Sequence, residues 1–131
     1  MTGCEIAYDL VLKGKRPVIV EMADDILKTK GLCMANSSCM RDLLRYYEVP
    51  IYKNAKLLEI IENGIVIETA EKTIQLECDD VIMSCGYMPD TRLVDGGTQQ
   101  GKTNIHIVGA VKKVGNLQTA IWEAYDLAFS L

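Results

Sequence analysis

The apolar positions of this chain change period along its length, and the changes lay out its elements. From Gly3 to Leu12, the residues Ile6, Ala7, Leu10 and Val11 recur at the spacing of one helix face. Gly14 follows as a natural C′ residue, and Lys13, Lys15 and Arg16 suit the negative end of the helix dipole. Pro17-Val18-Ile19-Val20-Glu21 is a short β-branched run and predicts a strand buried on both faces. A short helical piece is expected from Asp24 to Lys30. A further helix, capped by Ser37 or Ser38, runs through Leu43, Leu44 and Tyr47 and is ended by Val49-Pro50.

The middle of the chain has period two. Lys56 to Glu62 and Ile65 to Thr69 flank Asn63-Gly64, a strong hairpin signal. Ile65, Ile67 and Thr69 alternate with Val66 and Glu68, while Ile74, Leu76 and Cys78 alternate with Gln75 and Glu77. This pattern predicts a three-stranded antiparallel meander with one buried face. Val81-Ile82-Met83 predicts another compact buried strand, running into Ser84-Cys85-Gly86. Asp95 to Asn104 is expected to be a glycine-rich loop, and Ile105 to Val108 a last strand. Leu117, Ala120, Ile121, Ala124, Tyr125 and Ala128 trace one face of a closing helix. Helix, buried strand, helix, meander and strand, in that order, imply an α/β domain with crossover connections.

Composition narrows the function classes. At 131 residues the chain has room for one domain, not for a complete multi-domain enzyme. Lys plus Arg number 14 against 18 for Asp plus Glu, a net charge of −4, which argues against a cationic nucleic-acid module. No apolar run reaches the ~18 residues that span a bilayer, and the N-terminus lacks the basic and apolar parts of a signal peptide. Five cysteines (Cys4, Cys33, Cys39, Cys78 and Cys85) point to reduced thiols in a cytoplasmic setting. None forms a C-x-x-C pair, so small buried thiols are favoured over a metal site. The lone His106, within Ile105-His106-Ile107-Val108, reads as an alternating strand position. No residue reads as a general acid, general base or nucleophile.

The candidate chemistry is nucleotide binding. In α/β folds of this order, the turn between the first strand and first helix binds a dinucleotide pyrophosphate, drawn by free backbone N–H groups and the helix dipole. Here the helix starts at Gly3 with no strand ahead of it. Gly3 takes the place of the third glycine of G-x-G-x-x-G, with Met1-Thr2 as the intervening pair. The first strand and leading glycines are therefore expected upstream. Glu21 ends the second strand 18 residues after Gly3, where a carboxylate accepts hydrogen bonds from both hydroxyls of an adenosine ribose. It repels a 2′-phosphate, and Met22 and Ala23 offer no cation to hold one. NAD(H) is thus favoured over NADP(H). An ordinary acidic residue at a strand end is the competing reading.

Five blocks in order carry a more specific signal. They are Gly3-Cys4-Glu5-Ile6-Ala7, Val18-Ile19-Val20-Glu21-Met22, Cys85-Gly86-Tyr87-Met88-Pro89-Asp90-Thr91, Val108 to Asn116, and Ala120-Ile121-Trp122-Glu123-Ala124-Tyr125. Together they resemble the C-terminal region of the NADH:flavin oxidoreductase family, whose members include 2-enoate reductase, 2,4-dienoyl-CoA reductase and trimethylamine dehydrogenase. In that family an N-terminal barrel carries FMN, an iron–sulfur cluster and the catalytic residues, and two nested Rossmann-like domains bind FAD and NAD(P)H. The resemblance implies that residues 1–103 are a Rossmann-like NAD(H)-binding domain lacking its first strand, and that 104–131 return to the FAD-binding domain.

It further implies a pathway in a longer protein, from NADH to FAD, then through the cluster and FMN to an activated C=C bond. Gly3, Cys4 and Glu5 would face the pyrophosphate and nearby ribose, Glu21 the adenosine ribose, Gly86 the crossover between domains, and Gly109 the flavin segment. One departure bears on the flavin. The family usually has Gly-Asp where this chain has Gly109-Ala110, and that aspartate hydrogen-bonds the ribityl chain of FAD. Ala110 has no acceptor to offer. The resemblance leaves a second reading open, a structural or ADP-binding module with no redox turnover of its own. The residues leave a third, a thiol redox protein, weakened by the missing C-x-x-C. Without its first strand the sheet would expose its interior and its edges, so self-association of this piece is an expectation.

Overall fold

The computed structural model describes residues 1–28, 31–99 and 105–131, and only the backbone of 97–99. The chain forms two compact units, Met1–Ser84 and Cys85–Leu131.

The first unit opens with helix α1 (Thr2–Leu12). Cys4 and Ala7, three residues apart on one face, are its buried residues. The helix ends as its sequence predicts: Gly14 takes φ +73°, Lys15 N–H bonds back to the Leu10 carbonyl at 2.9 Å, and Lys13 pairs with Asp9 at 2.6 Å. Strand β1 (Ile19–Val20) follows, then helix α2 (Met34–Tyr46), then strand β2 (Ile51–Tyr52). The strands β1 and β2 are parallel, with Ile19 opposite Ile51 and Val20 opposite Tyr52, so α2 is the crossover of a β-α-β unit. Cys4 and Ala7 of α1, Leu44 of α2, Ile26 and Val49 close the core between them.

Several expectations for this region are corrected. The strand is two residues long and half-buried, with Val18 exposed, because β1 pairs only along β2 among the described residues. No helix forms over 24–28: Leu27 sits at φ +59°, off the helical path, and Thr29 and Lys30 lie outside the described residues. Helix α2 begins earlier than predicted, with Cys33 as N-cap. Ser37 lies inside it, its hydroxyl donating to the Met34 carbonyl at 2.9 Å. It also ends one residue early, and Glu48 at φ +54° turns the chain toward β2. Two-residue strands are too short for a periodicity to reveal, so β2 had no sequence signal.

The meander forms as predicted, from β3 (Lys56–Ile61), β4 (Gly64–Glu68) and β5 (Thr73–Glu77), in the order β3-β4-β5. Ile65 faces Leu76 and Ile67 faces Ile74 across the antiparallel pair, and Ile67 is 0% exposed. The turn is displaced by one residue. Ile61 pairs with Gly64, so Glu62-Asn63 is the loop and Gly64 already belongs to β4. A Cβ on Gly64, at φ +155°, would lie 2.1 Å from the Leu76 carbonyl oxygen. The glycine serves a close approach to β5, not the turn. Beyond it, Val81-Ile82-Met83 is not a strand and is not buried; Ile82 is 55% exposed. An apolar run forms a buried strand only between ladder partners, and none flanks it among the described residues.

The second unit holds α3 (Arg92–Gln99), a 3₁₀ turn (Gly109–Val111) and α4 (Leu117–Ser130). Helix α3 overturns the loop expected from Asp95, as far as Gln99; residues 100–104 lie outside the described residues. Local capping explains it: Asp90 accepts from the Arg92 N–H at 3.2 Å, and the Thr91 carbonyl accepts from the Asp95 N–H at 2.9 Å. Ile105–Val108 forms no strand among the described residues, and His106 is exposed between half-buried Ile105 and Ile107. Helix α4 is where predicted, with the Asn116 side chain accepting from the Thr119 N–H at 2.9 Å. Its apolar face is not covered: Leu117, Ile121 and Tyr125 are all exposed.

Candidate nucleotide-binding site

Two features of the first unit converge: the N-terminus of α1 and the C-terminal end of β1. The Met1 carbonyl accepts from the Cys4 N–H at 2.9 Å and the Glu5 N–H at 3.1 Å. The amides of Thr2 and Gly3, ahead of them, make no hydrogen bond among the described residues. Those two N–H groups, at the positive end of an 11-residue helix, are what this terminus offers an anion. Gly3 packs closely, since a Cβ there would stand 3.3 Å from the Ser84 Cβ. Cys4 turns its side chain into the core, where burial pushes its thiol pKa up. Glu5 stays on the exposed side of the helix.

Glu21 sits immediately after β1. Its N–H donates to the Tyr52 carbonyl at 2.8 Å, and its own carbonyl accepts from the Ala55 N–H at 3.0 Å. The side chain turns back, and Oε1 accepts from the Ala23 N–H at 2.9 Å. Oε2 carries no hydrogen bond among the described residues. The carboxylate is therefore oriented by its own loop, with one oxygen left for a hydroxyl. Its negative charge, like that of Glu5, helps raise the Cys4 pKa, while the Met1 ammonium and Arg41 act the other way.

The loop after Glu21 is pinned by residues with no spacing signal in the sequence. Arg41 of α2 donates from Nη1 to Asp25 Oδ2 at 2.8 Å and from Nη2 to the Ile26 carbonyl. Lys53 Nζ stands 2.7 Å from Asp25 Oδ1. Lys53 first, then Arg41, hold the Asp25 carboxyl down at about 2 against its partial burial. The partners are 16 and 28 positions from Asp25, so only the crossover brings them together.

Gly86 and Gly109 belong to the second unit. Gly86 has φ +82°, in the left-handed region that favours glycine, with open space around it. Gly109 has φ +67°, its N–H donates to Glu123 Oε2 at 2.9 Å, and a Cβ would meet the Ala120 Cβ at 3.3 Å. Both the conformation and the approach of α4 call for glycine there. Ala110 beside it presents a methyl group, so residues 109–110 do not fit the polar ribityl contact of a flavin. The two amides and the Glu21 carboxylate, by contrast, fit the phosphate and ribose of an adenine dinucleotide.

The cysteine expectation is also corrected. Only Cys4 is buried; Cys33, Cys39 and Cys85 are exposed and Cys78 is half-buried, all of them free thiols. No group of three His, Cys, Asp or Glu suited to a metal occurs among the described residues.

A family model described as pyridine nucleotide-disulphide oxidoreductase matches residues 1–122. The chain belongs to the pyridine nucleotide-disulphide oxidoreductase family. Among curated relatives, this oxidoreductase domain is 30% identical over 129 residues to cinnamate reductase of Clostridium sporogenes, covering 98% of this chain and 19% of the relative. It is 25% identical over 125 residues to bilirubin reductase of Mediterraneibacter gnavus, again 19% of that protein. The chain thus spans about a fifth of the length of the curated relatives it matches. A 2-naphthoyl-CoA reductase structure superposes with a TM-score of 0.80 at 22% identity, over 98% of this chain and 19% of that one. Histamine dehydrogenase from Rhizobium sp. 4-9 gives 0.78 at 16% identity, over 98% and 21%. The fold is therefore Rossmann-like with an antiparallel meander. The relatives support the resemblance to NADH:flavin oxidoreductases, at low identity.

Proposed function

We propose that this oxidoreductase-family domain binds a pyridine nucleotide, NADH in preference to NADPH, and performs no reduction on its own. The Glu21 carboxylate carries the reading: its loop orients it, one oxygen has no partner among the described residues, and it stands at the end of a parallel strand. Gly3, with the amides of the first turn, would hold the pyrophosphate. The nucleotide would supply a hydride when bound; no residue of the sequence reads as a general acid, general base or nucleophile that would act on a substrate. In a longer protein of this kind, this reading places residues 1–103 as the NAD(H)-binding domain and 104–131 as the return segment of an FAD-binding domain. The cluster, FMN and reduction of an activated C=C bond belong to that longer protein. A cytoplasmic, reducing setting suits five free thiols.

Calorimetric titration with NADH, NADPH and ADP tests the reading. NADH is expected to bind more tightly than NADPH, and Glu21→Gln to weaken NADH by about tenfold, the worth of one charged hydrogen bond. A preference for NADPH, or no binding of any nucleotide, refutes it. Ala110 favours a second reading, a structural or ADP-binding module, for which ADP would bind as tightly as NADH. Alone in solution, the chain is also expected to self-associate through the exposed apolar residues of α4. A concentration-independent monomer in sedimentation would refute that.

A further inference from the structure

Two cations of the kind that bind a nucleotide 2′-phosphate stand against the loop that follows Glu21, and both are already paired with Asp25. Lys53 lies between Tyr52, whose carbonyl accepts from Glu21, and Asn54, whose N–H donates to the Ala23 carbonyl at 2.9 Å. Ala23 in turn donates to the Glu21 carboxylate. Lys53 is thus flanked on both sides by residues bonded to the corner that would receive the adenosine ribose. Asp25, four residues after Glu21, takes the Lys53 ammonium on Oδ1 and the Arg41 guanidinium on Oδ2. Arg41 and Asp25 are each about one-third exposed, at 32% and 33%. Asp25, Arg41, Arg45, Glu48 and Lys53 line one open groove of about 380 Å³, room enough for a phosphate group. Among the described residues of the loop, the remaining charges are the exposed Asp24–Lys28 pair, self-neutralised.

We infer that Asp25 is a specificity-determining residue: by engaging both Arg41 and Lys53, it removes from the Glu21 corner the cations that would otherwise bind a nucleotide 2′-phosphate. The inference rests on the reading of Glu21 as the ribose ligand and extends it. Glu21 excludes the phosphate by repulsion at the ribose, and Asp25 by occupying its natural counter-ions. Guanidinium and ammonium groups are the strong donors to phosphate, and a carboxylate competes for the same fork. Arg45 does not replace them, since it pairs with Asp42 at 2.9 Å.

The test is Asp25→Asn in the full chain, read by titration with 2′,5′-ADP against 5′-ADP and NADPH against NADH, with the thermal transition followed in parallel. The variant keeps the side-chain size and removes the charge. The ratio of affinities is expected to move at least tenfold toward the 2′-phosphorylated ligands, to return only in part in Asp25→Asn/Lys53→Gln, where Arg41 is still released, and to return to the parent ratio when Arg41→Gln is added. If Asp25→Asn does not fold, Asp25→Ser carries the same expectation. An unchanged ratio in a folded variant, with NADH still bound by the parent chain, overturns the inference and leaves the Glu21 reading standing. Failure of the parent chain to bind either nucleotide overturns both.

Discussion

Leu44 offers the most direct test of how the site is held. It is 1% exposed and packs with Cys4 and Ala7 of α1 and with Ile26 and Val49. Cutting it to alanine removes three carbons, about 2.4 kcal/mol at ~0.8 kcal/mol per buried methylene, before any cavity is counted. These neighbours come from one other helix and two loops, so they close only partly over the void, and the total should reach about 3 kcal/mol. Against a typical domain stability of ~5–15 kcal/mol this is a large share. Urea unfolding, followed by circular dichroism, should show the midpoint falling with the slope unchanged. Leu12→Ala, at an exposed position on α1, serves as control and should shift it by less than about 0.5 kcal/mol. A Leu44→Ala loss below about 1 kcal/mol would show that the core between α1 and α2 does not hold this unit together. Ile26 lies on the loop that orients Glu21, so the same variant should weaken NADH binding before global unfolding.

Gly64→Ala places a Cβ 2.1 Å from the Leu76 carbonyl oxygen at φ +155°, and should cost at least about 2 kcal/mol, seen as loss of meander amide protection in hydrogen exchange. Asp25 gives a pH signature: its folded pKa is depressed to about 2, so its contribution is complete above the ordinary carboxylate pKa and is lost as pH falls through about 4 to 2. Asp25→Asn should flatten that acid limb in a thermal-melt series; an unchanged limb would place the acid sensitivity elsewhere. Among the thiols, Cys33 should alkylate fastest, because the Asn36 and Ala35 N–H groups at the start of α2 lower its pKa. Cys4 should alkylate last, since burial raises its pKa; mass spectrometry of partially labelled chain checks the order.

Much of this architecture is legible in the amino-acid sequence. Ile6, Ala7, Leu10 and Val11 gave α1 because a helix buries one stripe, and Ile65, Ile67, Ile74 and Leu76 gave the meander because a half-buried strand alternates. Glu21 stood out because it follows a β-branched run at the spacing a ribose ligand needs. The failures share a cause. Val81-Ile82-Met83 and Ile105–Val108 have strand-like composition, yet a strand is made by its partners, and none flanks them among the described residues. The glycine at position 64 looked like a turn residue and is a close-approach residue, a distinction visible only once β5 lies beside it.

What the sequence determined by itself was local: the periodicities, the end of α1 at Gly14 and the acidic residue at the end of β1. These depend on neighbours within a few positions, where chain connectivity fixes the geometry. The tertiary structure decided what the long crossover brings together. Asp25 meets Arg41 and Lys53 only because β1 and β2 lie side by side with α2 between them. Electrostatic pairing acts through space, and no spacing rule along the chain encodes it.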